Sequence, residues 1–472
     1  ADGVNQGTAP TSQMTISSTG FVGIGTVSPA ATLSISGSAF NPASGGYATG
    51  GIDLQGATAG NGNYTAGLGF RMGTRQSTAI ITGVQDTTDS DRVGIAFFTN
   101  PDGNGATAAD EVMRISSDGN IIIANSGGTL YTTTAGANNL RLGLNAGNSI
   151  LSGGINNTFV GTAVTLGDRN VAVGKGSLAT DTTGNKTTAI GVGALATQLI
   201  NGDTFNTAVG YAAGNVVSTG TINTLIGGLS GDALTEGNSN VAVGYGSLTS
   251  DTKGDLNVAI GQLALSAQNF TTSTDSYNTA VGSNAGQGVT TGIRNTLIGG
   301  LAGDALTGNG FSGATRTAGA DFNTALGWGT LSSDTKGNQS TAIGYGALVT
   351  QNFTTATDTA NTAVGYNAGT LVNTGYSLTF VGANAGFSHL TGAQCTFIGS
   401  ESGNFATTSD NSTFVGHEAG RGITGTKLTG NSNTAVGAFS GANLQGTAAD
   451  NTLLGKSAGD NITTGDSNII IG

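Results

Sequence analysis

Asn206-Thr207-Ala208-Val209-Gly210 is followed by Asn223-Thr224-Leu225-Ile226-Gly227, then by Asn240-Val241-Ala242-Val243-Gly244 and Asn257-Val258-Ala259-Ile260-Gly261. The same phrase runs from about residue 139 to Asn468-Ile469-Ile470-Ile471-Gly472. Its closing glycines mark 19 coils, and 10 of the 18 intervals between them are 17 residues. A fixed short period of this kind is the signature of a stacked array rather than of a globular core. A larger unit is duplicated on top of it: Ser250-Asp251-Thr252-Lys253-Gly254 returns as Ser333-Asp334-Thr335-Lys336-Gly337, and Gln268-Asn269-Phe270 as Gln351-Asn352-Phe353. A linear array tolerates such growth because each coil touches only its neighbours.

The phrase reads as a short strand and a tight bend. Side chains alternate across a strand, so the Thr/Val and Val/Ile positions share one face and the Ala/Leu/Phe position the other. The β-branched row is expected to look inward and stack coil on coil, leaving the Ala/Leu/Phe face for association between chains. Asn before the strand suits a corner, with its amide paired to the same amide one coil away. The closing glycines, among them Gly210, Gly227, Gly244, Gly261, Gly282 and Gly299, are expected at bends that need positive φ or close backbone approach. Nineteen coils at roughly 4.8 Å each give a rod on the order of 90 Å long. A lone rod this thin buries little apolar surface, which predicts an oligomer.

Composition agrees. Of 472 residues 83 are Gly, only 4 are Pro, and charged residues make up 9%, too few large side chains for a thick core. Regularly placed Val and Ile argue against disorder. The net charge of −12, with only 15 Lys and Arg over the whole chain, excludes a phosphate-binding surface and hence nucleic acid as a partner. No run of 18 apolar residues appears, so no membrane insertion is expected, and no signal peptide is recognisable. The chain starts at Ala1 without Met and stops at Gly472 within a repeat, as expected of a piece of a longer polypeptide. Cys395 is the single cysteine and stands where most coils have Asn, an unreactive replacement with no disulfide to form.

Before the repeats the pattern changes. Met14-Thr15-Ile16-Ser17-Ser18-Thr19-Gly20-Phe21-Val22-Gly23-Ile24 and Met113-Arg114-Ile115-Ser116-Ser117-Asp118-Gly119-Asn120-Ile121-Ile122-Ile123 both read as β-hairpins. The expected organisation is a hairpin linker over 1–36, a small antiparallel β domain over 37–125, a linker over 126–138 and the solenoid over 139–472. The fold class is therefore all-β, a parallel β-solenoid preceded by a small antiparallel domain.

Phrases such as Asn361-Thr362-Ala363-Val364-Gly365 resemble the repeats of phage tail fibres and of the β-roll heads of trimeric autotransporter adhesins. Val22-Gly23-Ile24-Gly25-Thr26 with Ser28-Pro29, together with Glu111-Val112-Met113-Arg114-Ile115, is similar to linker elements of phage tail-fibre proteins. The resemblance implies a homotrimeric, extracellular shaft segment of a virion tail fibre, with other tail proteins as partners and a host surface glycan or protein as a possible contact. A bacterial trimeric adhesin or cell-surface filament is the alternative, and a polysaccharide-cleaving tailspike a minor one.

Catalytic and cofactor chemistry was sought and none is expected. Gly455-Lys456-Ser457 imitates the end of a phosphate-binding loop, but Asp450 stands where that motif needs Gly. His389 and His417 are the only histidines, too few for a His-based metal or nucleophile centre. Asp86, Asp89 and Asp91, and the pair Asp110-Glu111, are the carboxylates closest to a glycosidase pattern and are expected to be solvated loop acids. An ice-binding solenoid wants outward Thr-x-Thr pairs, whereas this Thr recurs once per coil and exchanges with Val. Longer intervals after Gly261, Gly299 and Gly344 carry Phe270, Phe311 and Phe353, which are expected in loops outside the coil as candidate receptor contacts. Trp328 is expected to wedge between coils or chains rather than to offer a sugar platform.

Overall fold

A computed structural model of the chain describes residues 140–142, 156–160, 167–308 and 319–472 and, before them, the strands named below with a few residues beside them. The chain divides into two units, Ala1–Leu130 and Tyr131–Gly472. Every element among the described residues is a β-strand.

In the first unit, β1 (Met14–Ile16) and β2 (Val22–Ile24) form the expected hairpin, with Met14 opposite Ile24, and β3 (Leu33–Ile35) adds to β2 in parallel. A second sheet runs in the order β4 (Tyr64–Phe70), β5 (Ala79–Gln85), β6 (Val93–Thr99), β7 (Asp110–Ile115) and β8 (Ile121–Ile122), all antiparallel. The second hairpin read from sequence is the β7–β8 pair. On β6, Ala96 and Phe98 are buried while Ile95 is exposed, the alternation of a sheet with one covered face.

The second unit is the solenoid. β9 (Leu140–Leu142) pairs in parallel with β10 (Thr158–Val160), and each later phrase pairs with the next in the same register, as Thr207, Ala208 and Val209 do with Thr224, Leu225 and Ile226. This ladder has nineteen strands among the described residues. Its rungs are backbone bonds: the Thr224 N–H donates to Asn240 C=O and the Gly227 N–H to Val209 C=O, both at 2.8 Å. Register survives the long interval after Gly299, since Thr296 still faces Thr324. The strand that follows is not displaced by the longer interval.

The inward row is not the one expected. From Phe159 to Leu453 the middle residue of each ladder strand is fully buried, among them Ala208, Leu225, Ala242, Phe380 and Phe397, whereas the flanking Thr/Val and Val/Ile positions are partly exposed. Parity is set by the Asn, which also lies inside. Asn223 Oδ1 accepts the backbone N–H of Asn240 at 2.9 Å, and Asn240 Nδ2 donates to Gly254 C=O at 2.8 Å. With Asn turned inward, alternation sends the next residue out and the one after it in. The Ala/Leu/Phe face therefore fills the core and cannot be the surface between chains.

The narrow interior is filled by exchange of bulk between columns, and where strand and turn are both small, as at Ala208 and Gly214, Val217 closes the space. Where the strand contributes Ala259, the following turn contributes Leu265; where it contributes Phe397, the turn carries Gly403, whose missing Cβ would lie 2.5 Å from the ring. Phe380, Phe397 and Phe414 stack through three coils at centroid separations of 4.9 and 4.8 Å. Such offset ring stacks add to burial. The six closing glycines named above have φ of +132° to +144°, and a Cβ on any of them would lie 2.3–2.5 Å from the carbonyl oxygen of the next closing Gly. Both reasons for Gly hold at once.

Phe397→Ala is expected to destabilise the solenoid by about 3–5 kcal/mol, because neighbours on fixed rungs cannot collapse into the void. Thermal denaturation beside Ile398→Val, on the outward row and expected to cost well under about 1.5 kcal/mol, checks this. Equal losses for the two would contradict the assigned parity.

Candidate functional site

The longer coils were expected to display aromatic loops. They do not: Phe270 and Phe353 are buried at 5% and 6% exposure. Their backbone N–H groups donate to Asp251 and Asp334 Oδ1 at 3.0 and 3.1 Å, which ties each loop into the wall. Phe311 lies outside the described residues. Residues exposed at these loops include Thr271, Thr272 and Ser273 in one and Thr354, Thr355 and Ala356 in the other.

What builds these loops is a buried polar relay that occurs at three places. Gln198, Gln268 and Gln351 donate through Nε2 to Oδ2 of Asp181, Asp251 and Asp334, one coil before them, at 2.6, 2.6 and 2.5 Å. Each Gln accepts through Oε1 from the inward Asn that follows, Asn206, Asn278 or Asn361, at 2.8–2.9 Å. At each relay a second short parallel ladder forms, such as Gly254 and Asp255 against Thr274 and Asp275. Burial raises all three Asp carboxyls above their ordinary value, opposed by the bonds from Gln and from backbone amides. Raised carboxyls of this kind suit general acids, but these have their oxygens committed inside the wall. Their role is to close wide coils.

Other singled-out residues are similarly structural. Cys395 is buried in the inward Asn column, its Sγ 2.9 Å from Ser409 C=O, and burial pushes the thiol up to about 11. His389 sits in the core against the edges of Phe380 and Phe397, with Nε2 3.0 Å from Gly392 C=O and Nδ1 3.2 Å from Ala406 C=O. Burial holds that imidazole below its usual value. His417 is on the surface beside Glu418 and Phe439. Gly455 is a closing Gly, followed by turns rather than a helix. Asp86, Asp89 and Asp91 lie outside the described residues, and Asp110 and Glu111 belong to β7. Among the described residues no three His, Cys, Asp or Glu side chains gather as metal ligands would.

Two surface features remain. The first is the outward strand face, a rank of Thr or Val beside a rank of Val, Ile or Leu, with Ile226, Ile260 and Ile398 each nearly two-fifths exposed. From Thr158 to Ile471 neither rank contains a charged residue. The second is an aromatic ladder at the corner just beyond that face. Trp328, Tyr345 and Tyr366 follow the closing glycines of three consecutive coils and stack at 5.1 and 5.5 Å, tilted by only 13° and 16°. Trp328 also lies over Gly300, where a Cβ would be 3.4 Å from its Cδ1. Trp328 was expected to wedge between coils or chains; within the chain its ring is half exposed and stacks on Tyr345 of the next coil. An aromatic after the closing Gly in successive coils is the sequence signal that could have located this ladder.

No protein-family model matches the chain, and neither a curated protein nor a solved structure matches it.

A carboxyl raised by folding contributes stability that is complete below its unfolded value and is lost as pH rises through the folded one. The melting temperature of the wild-type chain minus that of Asp334→Asn is accordingly expected to shrink as pH is raised from about 4 toward neutrality. A difference that grows over that range would contradict the assignment.

Proposed function

We propose that this chain is a shaft segment of an extracellular, multichain fibre, in the first place a phage tail fibre, and that three copies associate side by side through the outward strand face. The observation that carries the proposal is that face itself. Nineteen strands about 4.8 Å apart and about three residues wide make a strip of roughly 900 Å². One of its two ranks is aliphatic and the other mostly Thr, and a standard stable interface covers about 800 Å² on each partner. In a chain with 42 charged residues (15 basic plus 27 acidic), ranks this long without one are the depletion expected of an interface core.

The fold suits mechanical support. Coils are tied to their neighbours by backbone rungs and most also by an inward Asn bond, and turns are held by short side-chain bonds, so bending would break several at once. The resemblance of the repeats and of the N-terminal phrases to phage tail fibres supplies the threefold choice and the virion location. The bacterial adhesin alternative shares the shaft and differs in what the shaft is joined to.

Mass measurement of the purified chain in solution is expected to give three times 46.0 kDa. Val243→Lys together with Ile260→Lys, on the outward rank, is expected to shift it to one chain with the β spectrum intact. A wild-type monomer would overturn the proposal, and thermal hysteresis by that monomer would assign the Thr rank to ice instead.

A further inference from the structure

A repeating face cannot by itself tell copies where to stop sliding. If two solenoids meet through Thr and aliphatic ranks, moving one by a single coil restores nearly the same contacts, about 4.8 Å along. Register in β structures is weakly specified wherever the pattern is uniform. A specific assembly needs a feature that does not repeat.

The column after the closing Gly supplies one. From Tyr211 onward it reads Tyr, Gly, Tyr, Gln, Ser, Gly, Trp, Tyr, Tyr, Ala, Ser, His, Ala, Lys. Only Trp328, Tyr345 and Tyr366 make a run of three, and beyond them come Ala383 and Ser400. Resting on the proposal that copies associate side by side, we infer that this ladder is the register key of the assembly, seated in each copy against the same level of its neighbours.

Three observations carry the inference. The ladder stands at the corner that continues the uncharged strand face, with exposures of 52%, 50% and 56%. Stacking on one another and on Gly300 covers both faces of Trp328 and Tyr345 and one face of Tyr366, so the column presents mainly ring edges. A sugar stacks on an open ring face, which this column offers only at its Tyr366 end, whereas its ring edges favour a neighbouring aromatic in the edge-to-face geometry. In a parallel cyclic oligomer the ladder of one copy lies at the height of the others. A slip of one coil then leaves a ring opposite Ala383 and the Gly300 side, where no aromatic side chain stands. One non-repeating contact in an otherwise uniform interface fixes register in the way a single polar position does in a coiled coil.

The test uses the whole chain with Cys395→Ser, since Ser already occupies that column at Ser340 and Ser412. A nitroxide is placed on Ala383→Cys, an exposed site one coil beyond Tyr366. Pulsed electron-spin distances between copies are expected to show one narrow population. With Trp328→Ala, Tyr345→Ala and Tyr366→Ala, the assembly is expected to keep its mass while the distances broaden into several populations. Trp328→Phe, Tyr345→Phe and Tyr366→Phe is expected to restore the single one. A single narrow distance in the Ala variant would overturn the register inference and leave the shaft proposal standing. So would broad distances in an assembled wild type. A wild-type monomer would overturn the shaft proposal first.

Discussion

The inward Asn bond is the constraint on which the rest of the solenoid depends. Asn206, Asn223, Asn240 and Asn257 are each fully buried, and each side-chain oxygen takes the backbone N–H of the next Asn. A buried amide is tolerable only when its groups are satisfied. Here the carbonyl end meets the coil after it, and the Nδ2 end of Asn206, Asn223 and Asn240 meets a backbone carbonyl 14 residues further on, while that of Asn257 donates to Asn240 Oδ1. One side chain thus joins the start of a strand, the coil below it and the far corner. Because it must point inward to do so, it dictates which of the following residues enters the core.

Exceptions in that column show what the bond requires. Ser340 and Ser412 keep the amide register with shorter side chains, and Leu378 keeps only the backbone half, its N–H donating to Asn361 Oδ1 at 3.0 Å. Cys395 directs its sulfur at the carbonyl 14 residues on, where Asn would place Nδ2. Leu378, Cys395 and Ser412 fall within the stretch that also holds the Phe380–Phe397–Phe414 stack and His389. There, ring packing contributes cohesion that amide pairing contributes elsewhere.

Much of this was legible in the sequence because the period is a property of spacing alone. The 17-residue recurrence gave the stack, the closing Gly gave the bend, and the hairpins at Met14–Ile24 and Arg114–Ile122 followed from alternation about Ser and Gly. The facing of the strand was not legible in the same way. β-branched residues favour strands whether they point in or out, so Thr-Ala-Val carries no sign of its own. The sign lay in Asn, which was expected at a corner paired to the next coil, and whose inward direction follows only from the ladder that forms once coils are stacked. The same blindness placed Phe270 and Phe353 outside. Insertions suggest surface, but Asp251 and Asp334 reach across one coil to draw those segments back, a contact 19 residues apart that no local window contains.

The inversion of the strand changes what the molecule can do. With Val and Ile inward, the outer surface would have been Ala, Leu and Phe, irregular in size from coil to coil and poor for long-range packing. With Ala, Leu and Phe inward, irregularity is absorbed in the core by exchange against Leu or Gly in the turn. The outer face keeps uniform Thr and aliphatic ranks. Uniformity gives a long contact its strength, and it also makes every one-coil slip nearly equivalent. A fibre built on such a face must therefore carry its address in a residue column that escaped the repeat, and Trp328, Tyr345 and Tyr366 are where this chain departs from it.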